Sequence, residues 1–288
     1  MGKAYRAIGG LSIHEDYVDL LAAEGLDAFD ALMSARGEAD LDKPGLDRWR
    51  QRLQLAVGGR RLYLKRFDRP PASTRMSLRF HGFKSPAACE WHWLERVRDL
   101  GVAAPTPVAC GGDKAEDRSL LLIDEVPGTS LEKWLPARGP AADRATRRRI
   151  SNAVADLAAR LHEAGLFHRD FYTAHLFVDE SDERGIGLSL IDLQRMIEPR
   201  IRSRRWRIKD LSALNYSVCP DQATSTDRVR WFRRYRSIDR LTASDKRTIR
   251  DVVAKTRRVE RHDVKKRGGE ESREEPREEP RMDTDGHG

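Results

Sequence analysis

The sequence predicts an α+β fold in two lobes, an antiparallel sheet first and a mainly helical lobe second. Three observations carry this reading. Residues 49–67 alternate between apolar and polar side chains on either side of Gly58-Gly59, which is the pattern of a hairpin whose turn needs positive φ. Ile150, Val154, Leu157, Ala158 and Leu161 then recur at helical spacing between Ala145 and Ala164. Between these regions Pro127-Gly128 breaks the pattern and separates strand-rich from helix-rich sequence.

Within the first lobe the strands are expected over Trp49–Val57 and Arg60–Phe67, followed by a loop at Pro70-Pro71. Ser85 and Pro86 open a helix as N-cap and first helical residue, and Gly101 closes it. Residues 105–110 and 119–126 read as two more strands. In the second lobe a short segment at Leu131–Leu135 precedes the long helix, which Gly165 ends. Short strands at Leu176–Val178 and Leu188–Leu193 follow, and then Arg-rich helices to about Val264. The expected division is an N-terminal extension at 1–45 with one short helix near Val18–Arg36, a first lobe at 46–126, a second lobe at 127–264, and a disordered acidic tail at 265–288.

The chain has 288 residues and a net charge of +8, with 35% charged side chains. From Gly268 to Gly288 there are six Glu, two Asp and three Arg, a net −5, which leaves +13 on the preceding residues. A body this basic favours anionic partners. Cys89, Cys110 and Cys219 lie far apart, which argues against a disulfide framework or a zinc site. No apolar run has the length of a signal peptide or a membrane span, and Arg6 breaks the myristoylation pattern. The expected location is the cytoplasm.

The chemistry concentrates in a few residues. His168-Arg169-Asp170 lies in a loop after the long helix, and Asp192 ends the apolar strand that follows. Phosphoryl transfer needs one carboxylate beside the attacking hydroxyl and another on the metal that bridges the phosphates. Two aspartates placed this way match the catalytic lobe of a protein-kinase-like fold. In Leu62-Tyr63-Leu64-Lys65, alternation sends the leucines to the core and Lys65 to a cleft, where it can hold phosphates. Glu90 shares a helical stripe with Leu94 and Val97, and a carboxylate on an apolar stripe requires a cation, for which Lys65 is the natural partner.

The order LYLKRF (62–67), CEWHWLERVRDLGVAAPTPVACG (89–111), LLLIDEVPGTSLEKWL (120–135), GLFHRDFYTAHLFV (165–178) and LSLIDLQRM (188–196) resembles the lipopolysaccharide core kinases. These are the WaaP-like kinases of heptose and of 3-deoxy-manno-octulosonic acid. RWRIKDLSALNYSV (205–218) and RVRWFRRYR (228–236) extend the resemblance, which spans Trp49 to Arg240. It implies ATP and Mg²⁺ as cofactors, with Lys65 orienting the phosphates and Glu90 holding Lys65. It also implies Asp170 as catalytic base and Asp192 on the metal. Glu125 and Val126 would form the hinge against adenine, and Asp210 would brace the catalytic loop together with His168 and Arg169. The implied acceptor is a sugar of the lipopolysaccharide core or linked to lipid A; another small-molecule or protein hydroxyl stays open as acceptor, as does a catalytically weak kinase fold that binds through its basic face.

Two departures from protein kinases stand out. His175 occupies the position where they place an Asn on the metal. Imidazole suits magnesium poorly, so His175 has three readings: structural, substrate-side, or metal-ligating. Leu193-Gln194 replaces Phe-Gly after the metal aspartate. No GxGxxG precedes Lys65, and Gly45 is the only glycine near the expected phosphate-covering loop. The clusters Arg200–Lys209 and Arg228–Arg236, the latter interleaved with Trp231, Phe232 and Tyr235, fit nucleic acid, anionic lipid or a solvated helix face equally well by composition. Beside the kinase residues, no nucleic acid is expected, and peripheral contact with the inner face of the cytoplasmic membrane is.

Overall fold

The computed structural model describes residues 5–41, 48–181 and 185–274. The first lobe opens with strands β1 (Tyr5–Ile8) and β2 (Leu11–His14), helices α1 (Val18–Ala23) and α2 (Phe29–Ser34), and the short β3 (Ala39–Asp40). The hairpin β4 (Arg50–Val57) and β5 (Arg60–Asp68) follows, turned by Gly58 and Gly59 at φ 54° and 76°. Then come α3 (Ala72–Phe80), α4 (Pro86–Asp99), β6 (Pro107–Asp113) and β7 (Arg118–Asp124). The seven strands form one antiparallel sheet in the order β1-β2-β6-β7-β5-β4-β3.

The second lobe holds β8 (Thr129–Ser130), α5 (Leu131–Ala137), α6 (Arg144–Glu163), β9 (Leu176–Asp179), β10 (Gly187–Leu190), α7 (Ser203–Ser217), α8 (Ser225–Arg236) and α9 (Ala243–Glu274). The three short strands form a second sheet, β10-β9-β8. The expected fold class is therefore present, an antiparallel sheet followed by a mainly helical lobe. Gly128 marks the change between lobes. Its φ is +90°, and a Cβ there would fall 2.1 Å from the Val178 carbonyl oxygen, so the crossing strand and β9 can approach only at a glycine.

Strand alternation decides what each face of the large sheet does. Leu62 and Leu64 pack with Leu53, Leu55, Leu120 and Leu122 against Tyr17, Leu21, Phe29 and Leu32 from the N-terminal helices. Phe67, Leu121 and Ile123 belong to the core on the other side, with Trp93, Leu94 and Val97 of α4. That core continues through Trp134, Val154, Leu161 and Leu211 into the second lobe, so α4 sits between the lobes.

Several expectations need correction. Residues 5–40 are not an extension apart from the first lobe. They supply both edge strands of its sheet and the helices that cover its outer face. Buried Arg66 fastens them, donating to the Leu32 carbonyl at 2.5 Å and 2.9 Å and to the Ala35 carbonyl at 2.5 Å, the open carbonyls at the end of α2. The single helix expected near Val18–Arg36 is two, split at Gly25 with φ 64°. The stretch after Pro70-Pro71 is helix α3, with Pro71 as its N-cap. Helix α9 runs past Val264 to Glu274, since Lys, Arg and Glu favour helix and the first later proline is Pro276. The remainder of the expected tail, and Gly45, lie outside the described residues.

Candidate active site

The cleft is built from β5 and α4 of the first lobe and from the loops around β9 and β10 of the second. Lys65 lies on the face of β5 opposite Leu62 and Leu64, as alternation requires. Ser85 accepts from the Ala88 N–H at 3.1 Å and Pro86 follows it, which fixes the start of α4 and the rotational setting of Glu90. Glu90 is 0% exposed, and the Lys65 Nζ donates to its Oε1 at 2.5 Å. Burial drives the Glu90 carboxyl above its usual range against the pull of Lys65. Burial would also strip the Lys65 proton, but the Glu90 and Asp192 carboxylates outweigh it and hold Lys65 protonated.

Asp192 faces the same ammonium, with Lys65 Nζ 3.9 Å from its Oδ1. The expected strand stops at Leu190, and Asp192 takes a left-handed conformation, φ 60° and ψ 61°, ahead of the 3₁₀ turn Leu193–Arg195. That kink turns its carboxylate out of the strand and into the cleft. Burial opposes ionisation of Asp192, yet Lys65 and the His175 ring hold its carboxyl below the usual range. His175 donates from Nδ1 to the Asp170 carbonyl at 2.8 Å, which leaves Nε2 directed at Asp192 Oδ2, 3.7 Å away. His175 thereby ties the Asp170 loop to the Asp192 carboxylate.

Asp210 organises the loop that carries Asp170. Its fully buried carboxylate accepts from the His168 N–H at 2.8 Å and the Arg169 N–H at 2.7 Å. Two successive donors aimed at one carboxylate hold Arg169 at φ 72°, a backbone conformation that costs a non-glycine residue energy. His162 Nε2 approaches the same carboxylate at 3.3 Å, and the Tyr235 hydroxyl lies 2.8 Å from His162 Nδ1. One assignment satisfies both contacts: Tyr235 donates to Nδ1, and Nε2–H donates to Asp210. His168 is buried and donates from Nε2 to the Ile191 carbonyl at 3.0 Å, joining the loop to the segment just before Asp192. Burial lowers its pKa and keeps the ring neutral.

Asp170 itself meets two cations. Arg195 Nη1 lies 2.9 Å from its Oδ2 and 3.1 Å from its Oδ1, and Lys209 Nζ lies 3.6 Å from Oδ1. Burial lowers the pKa of Lys209. Arg52 stands directly across from Lys65 in the β4–β5 register, and its charge acts on both Lys65 and Asp192. Glu125 and Val126 follow β7, where the sequence expects a hinge. The Glu125 N–H donates to the Arg61 carbonyl at 3.2 Å, and its side chain accepts from Arg61 at 2.6 Å and Tyr63 at 3.0 Å.

The structure thus brings Lys65, Glu90, Asp192, His175 and Asp170 to one cleft, with His168, Arg169 and Asp210 behind it. Glu125 and Val126 sit at the end of the neighbouring strand. Sequence reasoning missed Arg195, Lys209, His162, Tyr235 and Arg52. Arg52 carried a usable signal, since it falls opposite Lys65 once the hairpin turn is placed, and so did Arg195, which lies in the strand-end motif LSLIDLQRM three residues after Asp192. The others meet across long loops, which no spacing reveals.

A two-lobed fold with an ion-paired strand lysine, a loop aspartate and a strand-end aspartate facing one cleft defines the kinase-like phosphotransferases. Comparison with known proteins narrows the class. Residues 50–235 match the sequence profile of the lipopolysaccharide kinase (Kdo/WaaP) family. The lipopolysaccharide core heptose(I) kinase WaaP of Pseudomonas aeruginosa is 31% identical over 228 residues, covering 73% of this chain and 81% of the relative. WaaP of Escherichia coli is 29% identical over 224 residues, covering 73% and 82%. A solved structure of WaaP in complex with acyl carrier protein aligns with a TM-score of 0.66 at 28% identity, covering 86% of this chain and 96% of that one. The chain belongs to the lipopolysaccharide kinase (Kdo/WaaP) family. It is a lipopolysaccharide core kinase, a phosphotransferase whose acceptor is a sugar hydroxyl.

The Asp210 clamp gives a direct test. Asp210→Ala strands two buried N–H donors and the His162 ring, so urea denaturation should show a loss of roughly 3 kcal/mol. A loss below about 1 kcal/mol would show that water replaces the carboxylate.

Proposed function

We propose that this chain transfers the γ-phosphoryl group of ATP to a heptose hydroxyl of the lipopolysaccharide inner core. The observation that carries the reading is the convergence of Lys65, Asp192 and Asp170 on one cleft, together with relatives that are heptose(I) kinases. Lys65, held by Glu90, orients the phosphates, and Glu125 and Val126 line the adenine end. Asp170 takes the proton of the attacking hydroxyl. Asp210, His168 and Arg169 keep Asp170 in place.

The donor set at Asp192 fits magnesium. That ion takes one or two carboxylates, keeps its waters and completes its shell from phosphates, and Asp192 opens to the cleft with its carboxyl ionised. His175 Nε2 stands beside it as a weaker ligand or as an outer contact. Magnesium held by Asp192 would neutralise negative charge on the phosphates. The chain's own residues do the rest: Lys65 binds, Asp170 moves the proton, and the α4 contact holds both lobes in register.

Asp170→Ala should lower kcat by about 10³-fold or more while ATP binding by calorimetry persists. Radiolabel transfer from ATP to heptose-bearing core, compared with core truncated to 3-deoxy-manno-octulosonic acid, checks the acceptor. Labelling of the truncated core alone would replace heptose by the acidic sugar.

A partner follows from the solved relative in complex with acyl carrier protein. We extend that partner to this chain because a cavity of about 660 Å³ opens among the helices of the second lobe. Leu131, Trp134, Ile150, Val154 and Leu214 line it, and Arg147 and Arg148 stand at its wall. An acyl chain suits the apolar lining, while the wall carries both arginines and the carboxylates Asp221 and Asp227. Acylated carrier protein should co-elute with the chain in gel filtration and the unacylated form should not. Equal behaviour of the two would remove the acyl site.

Contact with the inner membrane face has its own support in α3. Met76 and Phe80, one turn apart, are 71% and 87% exposed. Arg69, Arg75, Arg79 and Lys84 flank them in the sequence, Arg75 paired with Asp117 at 2.6 Å, and no acidic residue falls between Asp68 and Glu90. A cationic helix with outward apolar side chains suits an anionic bilayer surface. No helix among the described residues is long and apolar enough to cross a membrane. The double variant Met76→Ser, Phe80→Ser should lose at least about fivefold in sedimentation with phosphatidylglycerol vesicles. Unchanged sedimentation would remove α3 from the contact.

A further inference from the structure

The stretch Phe171-Tyr172-Thr173-Ala174, between Asp170 and His175, carries no cation. Phosphoryl transfer beside Asp170 nevertheless spreads negative charge over the oxygens of the migrating group. A cation placed there is worth about 10³–10⁵ in rate in enzymes that use an arginine for it. The chain brings such a group from another loop. Arg195 ends the 3₁₀ turn that begins just after Asp192, and its Nη1 reaches both oxygens of Asp170, at 2.9 Å and 3.1 Å.

This contact has two features that a purely structural ion pair lacks. The Arg195 side chain is 56% exposed, and an ion pair so open to water contributes little to stability. It also engages both carboxylate oxygens, so the guanidinium competes with an acceptor hydroxyl for Asp170. The destination is close. Arg195 shares its turn with Asp192, and in the proposed function the phosphates would lie between Asp192 and Asp170. Lys209 stays beside Asp170, rooted next to the clamp residue Asp210 on α7.

We propose that Arg195 is the cation of the transferred phosphoryl group, leaving Asp170 when nucleotide and acceptor bind. This rests on the phosphotransferase reading of the same cleft. The acceptor oxygen forms its bond to the γ-phosphorus while the bond from that phosphorus to the β–γ bridging oxygen breaks, and ADP leaves with the electron pair. The hydroxyl proton passes to the Asp170 oxygen that Arg195 has uncovered. Arg195 thus blocks the base in the empty enzyme and stabilises the migrating group in the loaded one.

The test uses the full chain and Arg195→Ala, with calorimetry of Mg²⁺-ADP in the presence of core oligosaccharide. Aluminium fluoride, which mimics a phosphoryl group in flight, should tighten Mg²⁺-ADP binding to the unaltered chain. Arg195→Ala should keep its Mg²⁺-ADP affinity and melting temperature but lose at least about tenfold of the fluoride gain. Its kcat should fall by about 10²-fold or more with the KM for ATP little changed, and free guanidinium should restore part of the rate. Retention of the fluoride gain by Arg195→Ala overturns the proposal, as does a loss confined to the KM of the acceptor. If the unaltered chain shows neither a fluoride gain nor ATP turnover, the phosphotransferase reading fails with it. If it shows both and the variant does too, only the role of Arg195 fails.

Discussion

The buried carboxylate of Asp210 is the constraint on which the site depends. It accepts from two consecutive backbone N–H groups, those of His168 and Arg169, and so forces the chain into the left-handed turn that presents Asp170. A carboxylate can be this deeply buried only where donors surround it, and His162 with Tyr235 behind it completes that set. Helices α6, α7 and α8 each contribute one member. Their packing is therefore what places the loop aspartate, although none of these three groups reaches the cleft.

A second buried charge joins the lobes. Glu90 has no exposure to water, and its ion pair with Lys65 ties α4 to the sheet. Removing either partner would leave the other buried and unpaired, so the pair fixes the position of α4 more than it adds to stability. Asp192, close to the same ammonium, brings the second lobe to this point. His175 then links Asp192 back to the Asp170 carbonyl. The replacement of Asn by His thus has a clear geometric consequence: one ring spans the two loops that carry the aspartates.

The N-terminal residues show how tertiary context changes a local reading. Their weak pattern suggests an N-terminal extension, yet residues 5–40 cover the outer face of the sheet and form both of its edges. Arg66 explains why. A lysine or arginine on the core face of a strand is costly alone, and here it meets the open carbonyls at the end of α2. Alternation within residues 60–68 puts Arg66 on the same face as Leu62 and Leu64, but nothing there reveals the remedy, because the carbonyls belong to a helix some thirty residues earlier.

By itself the sequence determined those features that depend on neighbours along the chain. Period-2 alternation put Lys65 on the face opposite Leu62 and Leu64. Ser85-Pro86 and Gly101 bounded α4, and helical spacing placed Glu90 on its buried stripe. The pair Gly58-Gly59 and Pro127-Gly128 located the turn and the change of lobe, and the HRD loop with the strand-end aspartate marked the chemistry. Only the tertiary structure decided which charges meet. Arg195 and Lys209 reach Asp170 from a turn and a helix far along the chain, and Tyr235 reaches Asp210 through His162. Local sequence sets backbone conformation over a few residues. Burial and charge pairing act through space between segments whose separation along the chain carries no record of the contact.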